Sequence, residues 1–281
     1  MSGLLADARA ALLQQLTNTI WTVDTKGVPS NADGSSVASV AIAKAVRAQV
    51  CATSAATTKL AGQISGNQFE LICGDYLRTT FLELKHLRPG AFKVQRKLKI
   101  NMFEQYEYLA LLADLAEQNP TVRAALNCDY IIAPDVVITR SPEPDSAINA
   151  LKEIVDPSVA ALTPLRAANS SRDLLHASVS CKWTLRSDRA QNARSEALNL
   201  VRNRKGRVPH IVVITSEPMP SRIASLALGT GDVDCVYHVA LPEMRSAISS
   251  LGYADASEML DVMISGKRLK DIADLPLDLA I

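Results

Sequence analysis

The segment ASVSCKWT, residues 177–184, alternates apolar and polar side chains as a half-buried β-strand does. This alternation sends Lys182 to the same face as the serines. Residues 188–204 follow with helix-forming side chains throughout, and Asp188 is a favourable residue for the start of a helix. Residues 209–215, PHIVVIT, are rich in β-branched side chains and predict a second strand. Strand, helix and strand in this order indicate an α/β fold.

Further elements are predicted on the N-terminal side of this unit. Tyr130–Thr139 has the composition of another strand. Apolar residues at helical spacing predict a helix near the start of the chain, one that begins at Ser35 or Ser36, and one over residues 69–81. The glycines and polar residues of GQISGN, residues 62–67, predict a loop before the last of these helices. Glu70 then lies on an early turn of that helix.

Length and composition are those of a globular protein with a large core. The chain has 281 residues, of which 48% are hydrophobic, and no repeat or linker divides it. We therefore expect a single domain, residues 1–281, with a central mixed β-sheet flanked by helices. No apolar run approaches the ~18 residues of a membrane span, and residues 1–20 lack the basic segment and apolar core of a signal peptide. We expect a cytoplasmic protein without a membrane segment.

Cysteine and histidine patterns exclude two other classes. The five cysteines are odd in number and form no CxxC pair, which argues against a disulfide framework and a zinc site. We expect them to be reduced residues of the core. The four histidines are scattered without the spacing of metal ligands, so packing or surface roles are expected for them.

The net charge of +1 hides two basic stretches. Residues 85–99 contain six Lys or Arg and no acidic residue, and residues 182–207 contain eight against two acids. The two stretches together carry +12, so the rest of the chain is acidic. Such a distribution is typical of a protein that binds a polyanion on one surface. A solvated helix face remains the alternative, above all for residues 85–99.

A carboxylate and an ammonium are expected to meet between the predicted strands. Lys182 emerges between the apolar residues Cys181 and Trp183 of a strand expected to be buried, and a buried charge needs a partner. Asp135 on the neighbouring strand can be that partner, and Glu196 follows on the next helix. The three side chains form the layout of a metal-dependent nuclease, in which carboxylates hold Mg²⁺ and the lysine contacts the attacking water or the phosphate. A purely structural ion pair between Asp135 and Lys182 is the alternative.

The segment between Lys182 and Glu196 has the composition of a base-reading motif. Arg186, Asp188 and Arg189 offer two guanidinium groups around one carboxylate. Arginine pairs bidentately with guanine, and aspartate accepts from cytosine. Four basic residues at the end of the predicted helix suit phosphate contacts, with a plain surface role as the alternative; they are Arg202, Arg204, Lys205 and Arg207.

These motifs resemble the type II restriction endonucleases that recognise CCGG-containing palindromes. The resemblance is dense in the last hundred residues and patchy before them. In the C-terminal part it is carried by SCKWT (180–184), RSDRAQNARSE (186–196), PHIVV (209–213), ALGTG (227–231), DCVYH (234–238) and GKRLKD (266–271). In the N-terminal part it is carried by SNADGS (30–35), GQ (62–63), SGN (65–67) and FE (69–70).

The resemblance implies a restriction-endonuclease-like fold of the PD-(D/E)xK type and a set of catalytic roles. Asp135 would bridge two Mg²⁺ ions, with the main-chain carbonyl of Cys181 as another ligand. Glu70 and Glu196 would complete the metal surroundings, partly through water. Lys182 takes the place of the catalytic lysine, and Ser180 begins the Ser-x-Lys motif of the family.

The resemblance also implies a target and an assembly. Arg186, Asp188 and Arg189 would read the CCGG core of double-stranded DNA, and Ser36 and Gln63 would contact the outer base pair. The implied site is GCCGGC, cut to leave 5′ overhangs. A palindrome is read most simply by a two-fold dimer, and the family implies a homotetramer of two such dimers.

Two alternatives of other kinds remain open at this point. One is a DNA repair or junction-resolving nuclease with the same metal and lysine chemistry. An enzyme that recognises the shape of DNA rather than its sequence would not need the Arg-x-Asp-Arg motif, however. The other is a DNA-binding module without catalysis, in which the carboxylates are structural.

Overall fold

A computed structural model describes residues 2–51, 62–121, 131–229 and 231–281 of the chain. Its centre is a six-stranded sheet in which the strands lie side by side in sequence order. The strands are β1 (Phe92–Arg96), β2 (Val136–Arg140), β3 (Leu174–Lys182), β4 (His210–Thr215), β5 (Cys235–His238) and β6 (Leu269–Asp271). Strands β1, β2 and β3 pair antiparallel, whereas β3, β4, β5 and β6 pair parallel. The prediction of a mixed sheet is therefore confirmed.

Helices surround this sheet. They are α1 (Leu4–Thr19), α2 (Val37–Val50), α3 (Gly62–Thr80), α4 (Tyr108–Gln118), α5 (Asp145–Ile148), α6 (Ser187–Asn203), α7 (Pro220–Ala227), α8 (Leu241–Leu251), α9 (Ala254–Ser265) and α10 (Leu275–Asp278). Helix α3 packs against β1, β2 and β3, α1 packs on α3, and α2 packs on α8. None of the described helices combines the length and the apolar composition that a bilayer span requires.

The local sequence explains where α2 begins and how α6 packs. The Ser36 hydroxyl accepts a hydrogen bond from the N–H of Ser39 at 3.2 Å, which caps α2 at the predicted position. Helix α6 buries a narrow face of small residues and leaves its polar residues outside. That buried face consists of Ala190, Ala193, Ala197 and Leu200.

Strand β3 lies in the middle of the core and is covered on both faces. All seven of its inner residues are buried, Ser178 and Ser180 included. Strands with parallel partners and helices on both sides are normally buried in this way. The strand runs over residues 174–182 rather than 177–184, because its pairing with β4 ends at Lys182 opposite Thr215 and the chain then turns into α6.

Two other predicted boundaries were wrong. Strand β2 begins at Val136, so Asp135 lies just before the strand, and Tyr130 is outside the described residues. Residues 62–67 form the first turns of α3 instead of a loop. Glycine inside a helix costs only about 1 kcal/mol relative to alanine, and the buried side chains farther along α3, such as Phe69 and Ile72, outweigh that cost.

Candidate active site

Asp135 and Lys182 meet at the carboxyl end of β3. The Lys182 ammonium donates to Asp135 Oδ2 at 3.0 Å, and the Cys181 N–H donates to the same oxygen at 2.7 Å. The register explains the contact, since Val136 lies opposite Val179 on the antiparallel strand and the residue before it reaches the end of β3. Both hydrogen bonds use Oδ2, so among the described residues Asp135 Oδ1 is left for a cation.

Glu196 approaches the same lysine from α6. Its Oε1 lies 4.0 Å from the Lys182 ammonium and accepts from the Asn192 amide at 2.9 Å. The Ser180 hydroxyl donates to the other oxygen, Oε2, at 3.3 Å. Ser180 therefore orients the second carboxylate of the site.

The charges of this trio affect one another. Burial alone would lower the pKa of the Lys182 ammonium, but the charges of Asp135 and Glu196 outweigh it and raise that pKa. Burial raises the pKa of the Glu196 carboxyl; Lys182 opposes this effect, and the Asp135 charge adds to it. Lys182 is thus a firmly protonated donor between two carboxylates.

Glu70 lies apart from the trio. It is on α3, where its Oε2 is 3.1 Å from Arg96 Nη2 and 2.9 Å from Lys97 Nζ. Within the described parts of the chain, His, Cys, Asp and Glu side chains form no group of three close enough to hold a metal ion. A metal ion at this end of β3 could be held directly by Asp135 with a main-chain oxygen, and the two glutamates suit contacts through water. Oxygen donors of this kind fit Mg²⁺.

A cleft of about 390 Å³ joins most of the predicted site residues. Its lining combines catalytic and DNA-binding candidates: Gln63, Glu70, Cys181, Lys182, Asp188 and Arg189. Gln63 and Asp188 are exposed, so a ligand in the cleft can reach them.

A second, smaller cavity adjoins the cleft and shares Trp183 and Arg189 with it. Its lining includes Arg186, and the Arg189 guanidinium donates to Thr184 Oγ1 at 2.7 Å. The turn before Arg186 is held by a carboxylate, since the Leu185 N–H donates to the fully buried Glu217 at 2.8 Å. The arginines therefore project from a fixed turn.

The same cavity contains two residues that the sequence analysis missed. Arg222, at the start of α7, forms an ion pair with Asp33 there. A signal for Arg222 did exist. Because β3 and β4 are parallel, the residues that follow them meet at one edge of the sheet, and Arg222 comes soon after β4.

Three groups of predicted residues lie elsewhere. Ser36 lines neither cavity, and its hydroxyl caps α2. Arg202 and the basic residues after it lie at the far end of α6, about 25 Å of helix from Arg186. That position favours the surface alternative. Lys93, in the other basic stretch, pairs with Asp173 at 2.9 Å.

Comparison with known proteins identifies the family. A family model described as NgoMIV restriction enzyme matches residues 13–281. The Type II restriction enzyme NgoMIV of Neisseria gonorrhoeae is 52% identical over 271 residues, which are 95% of this chain and 94% of that enzyme. Among solved structures, a complex of restriction endonuclease PspGI with substrate DNA matches loosely, with a TM-score of 0.32 and 13% identity over 98% of this chain and 90% of that one. On the strength of the first two matches, the chain belongs to the family of NgoMIV restriction enzymes and is a type II site-specific deoxyribonuclease.

Proposed function

We propose that this enzyme uses Mg²⁺ to hydrolyse both strands of DNA at a palindrome with a CCGG core, GCCGGC, and that it leaves 5′ overhangs. One observation carries the proposal. Asp135, Lys182 and Glu196 converge at the end of β3, and the Arg186–Arg189 segment lines the adjoining cavities. Groups suited to cutting therefore lie directly beside groups suited to reading bases.

Two Mg²⁺ ions per site would be held by Asp135 and the main-chain carbonyl of Cys181, with Glu70 and Glu196 partly through water. When bound, Mg²⁺ neutralises charge on the phosphate and lowers the pKa of a bound water. No hydrogen bond from a described residue uses Asp135 Oδ1, which supports this assignment.

Lys182 and Ser180 have supporting roles in the same chemistry. Lys182 stays protonated between two carboxylates, so its ammonium can donate to the attacking water or to a phosphate oxygen. Ser180 keeps Glu196 turned towards that ammonium through its hydrogen bond to Oε2. The two residues hold the reacting groups in one orientation, which is where much of the rate advantage of such sites arises.

Base recognition is assigned to Arg186, Asp188 and Arg189 for the CCGG core and to Gln63 and Ser36 for the outer pair. The exposure of Gln63 and Asp188 on the cleft supports their part. The role of Ser36 rests on the family resemblance, since its hydroxyl already caps α2.

The proposed assembly is a homotetramer of two dimers. The long connection between β2 and β3, residues 141–173, exposes large apolar side chains to solvent, with Leu151 99% and Leu162 96% accessible. Ile154 and Val159 are exposed in the same connection. Apolar residues concentrated in this way usually mark a protein interface, which supports contacts between subunits there.

The enzyme is proposed to act in the cytoplasm. Cys73, Cys181 and Cys235 are free thiols in the described parts of the chain. Unpaired cysteines are typical of proteins kept in a reducing compartment.

The test is cleavage of plasmids that differ in one site. Purified enzyme with Mg²⁺ is incubated with a plasmid that carries GCCGGC and with plasmids whose only CCGG is flanked by other bases, and the fragment ends are mapped. We expect cutting at GCCGGC alone, with 5′ overhangs, and none in EDTA. Cutting at every CCGG would overturn the outer-pair assignment, and intact DNA on plasmids with one or two GCCGGC sites would overturn the proposal.

A further inference from the structure

Two adjacent cations hold Glu70. Arg96 ends β1 and Lys97 follows it directly, and both reach the same oxygen, Glu70 Oε2, at 3.1 and 2.9 Å. Both also contact Asn67, one turn earlier on α3, where the Lys97 ammonium donates to Oδ1 at 2.7 Å. Glu70 and Asn67 line the cleft proposed to take DNA. The cation pair therefore contacts two residues that line this cleft.

The backbone shows that Lys97 is placed there at some cost. Its φ is +54°, a left-handed conformation that a residue with a β-carbon rarely adopts outside functional sites. The Lys97 N–H donates to the Pro134 carbonyl at 3.2 Å, which ties it to the residue before Asp135.

The charged side chains of these ion pairs sum to zero when no metal is bound. Three carboxylates, those of Asp135, Glu196 and Glu70, face three cations, Lys182, Arg96 and Lys97. Mg²⁺ near Glu70 would meet two cations that already occupy its oxygen. Like charges at such distances repel strongly. Mg²⁺ and the cation pair therefore compete for Glu70 unless an anion binds the two cations instead.

We propose that Arg96 and Lys97 hold Glu70 in the free enzyme and pass to a DNA phosphate when Mg²⁺ binds, so that metal and DNA binding strengthen each other. The inference rests on the proposed role of Glu70 near Mg²⁺. Lys97 is half exposed and carries a flexible side chain, so it can turn from Glu70 to a phosphate without movement of β1. Thermodynamic linkage requires that the factor by which DNA raises the affinity for metal equals the factor by which metal raises the affinity for DNA.

The experiment measures metal binding with and without DNA. Calorimetric titration with Ca²⁺, which also takes oxygen ligands, is done on the wild-type enzyme and on Lys97→Gln, alone and with a GCCGGC duplex whose integrity is checked afterwards. We expect Lys97→Gln to bind Ca²⁺ about five- to tenfold more tightly than wild type without DNA, and to gain less from the duplex. Lys93→Gln is the matched control, because Lys93 lies on β1 shortly before Lys97, pairs with one carboxylate and is similarly exposed.

The outcomes separate this inference from the proposed function. Unchanged or weaker Ca²⁺ binding by Lys97→Gln, in a wild-type background that binds and cuts GCCGGC, overturns the inference alone. A wild-type enzyme that binds neither Ca²⁺ nor the duplex overturns the proposed function and the inference with it. Lys97→Gly, which suits the positive φ, repeats the test with the backbone relaxed and guards against a folding defect.

Discussion

At the scale of single residues, Lys182 is the side chain on which cutting is expected to depend. It contacts Asp135 at 3.0 Å and lies near Glu196, while the base-reading candidates lie farther along the chain. We expect Lys182→Met to bind a GCCGGC duplex nearly as well as wild type, because most affinity for DNA comes from other phosphate and base contacts.

Cleavage by Lys182→Met should fall by about 10²-fold or more, the usual effect of removing a group that transfers or holds a proton in the reaction. Single-turnover cleavage and a gel-shift titration measure the two quantities. Lys93→Met on β1 is the control and should cut normally. A Lys182→Met variant that cuts at the wild-type rate would remove this lysine from the mechanism.

Arg186 and Arg189 are expected to contribute to specificity. Replacing either with alanine should cost ~1–3 kcal/mol of discrimination at one base pair, because a bidentate contact to guanine is lost. Affinities for GCCGGC and for singly substituted duplexes, measured at one salt concentration, test this. Arg202→Ala is the control, since Arg202 is exposed at the far end of the same helix. Equal losses on matched and mismatched duplexes would contradict base reading by these arginines.

At the scale of elements, His176 joins β3 to the C-terminal residues. Its ring contacts the Leu279 carbonyl at 2.8 Å and packs between Phe81 and Phe92. Burial lowers the pKa of His176 to about 3, and the nearby charges of Arg88 and Arg207 act in the same direction. The folded state therefore keeps this histidine neutral at pH values where the unfolded chain, with a pKa near 6.5, binds a proton.

Stability should consequently fall as the pH falls. The contribution of His176 is fully present above about pH 6.5 and is lost progressively towards pH 3, which amounts to about 2 kcal/mol between pH 7 and pH 5. Urea unfolding of wild type and His176→Gln at both pH values measures the difference. The variant should lose less stability than wild type on acidification. His86→Gln, at an exposed position, should behave as wild type, and identical pH dependence in all three proteins would refute the assignment.

At the scale of the whole molecule, family membership excludes two alternatives that the sequence left open. A match over residues 13–281 makes the chain a restriction enzyme rather than a junction-resolving nuclease or a binding module. The six-stranded mixed sheet with flanking helices agrees with the expected restriction-endonuclease-like fold. The match runs through both the proposed catalytic segment and the proposed base-reading segment.

Assembly can be tested through the exposed connection between β2 and β3. We expect the wild-type enzyme to have a mass in solution near four times that of the 30.2 kDa chain. Leu162→Glu should reduce that mass to the dimer, since a charge at an apolar interface loses its hydration without a partner. Val262→Glu, at an exposed apolar position on α9, should leave it unchanged. Light scattering after size exclusion measures both, and a wild-type monomer or dimer would rule out the tetramer.

Particular residues show how far the sequence could lead. Asp135, Lys182 and Glu196 could be selected because strand alternation and helix spacing are local properties. The ion pair of Arg222 with Asp33 could not be predicted, because 189 residues separate the two. Only the packing of α7 beside the segment between α1 and α2 brings them together. The prediction of a loop at the first turns of α3 was wrong because glycine predicts a loop from local preference alone. The stabilisation from side chains that α3 buries farther along is not visible in that local pattern.

By itself, the sequence determined the alternation of strand and helix, the mixed sheet, and the chemical types of side chain at the end of β3. These follow from periodicity and residue chemistry, which act between neighbours along the chain. The sequence also predicted that Lys182 meets Asp135, but only the tertiary structure decided which other charges meet. Glu70 faces Arg96 and Lys97 rather than Asp135, because α3 packs across β1 and ion pairs form wherever folding brings two groups within a few ångströms.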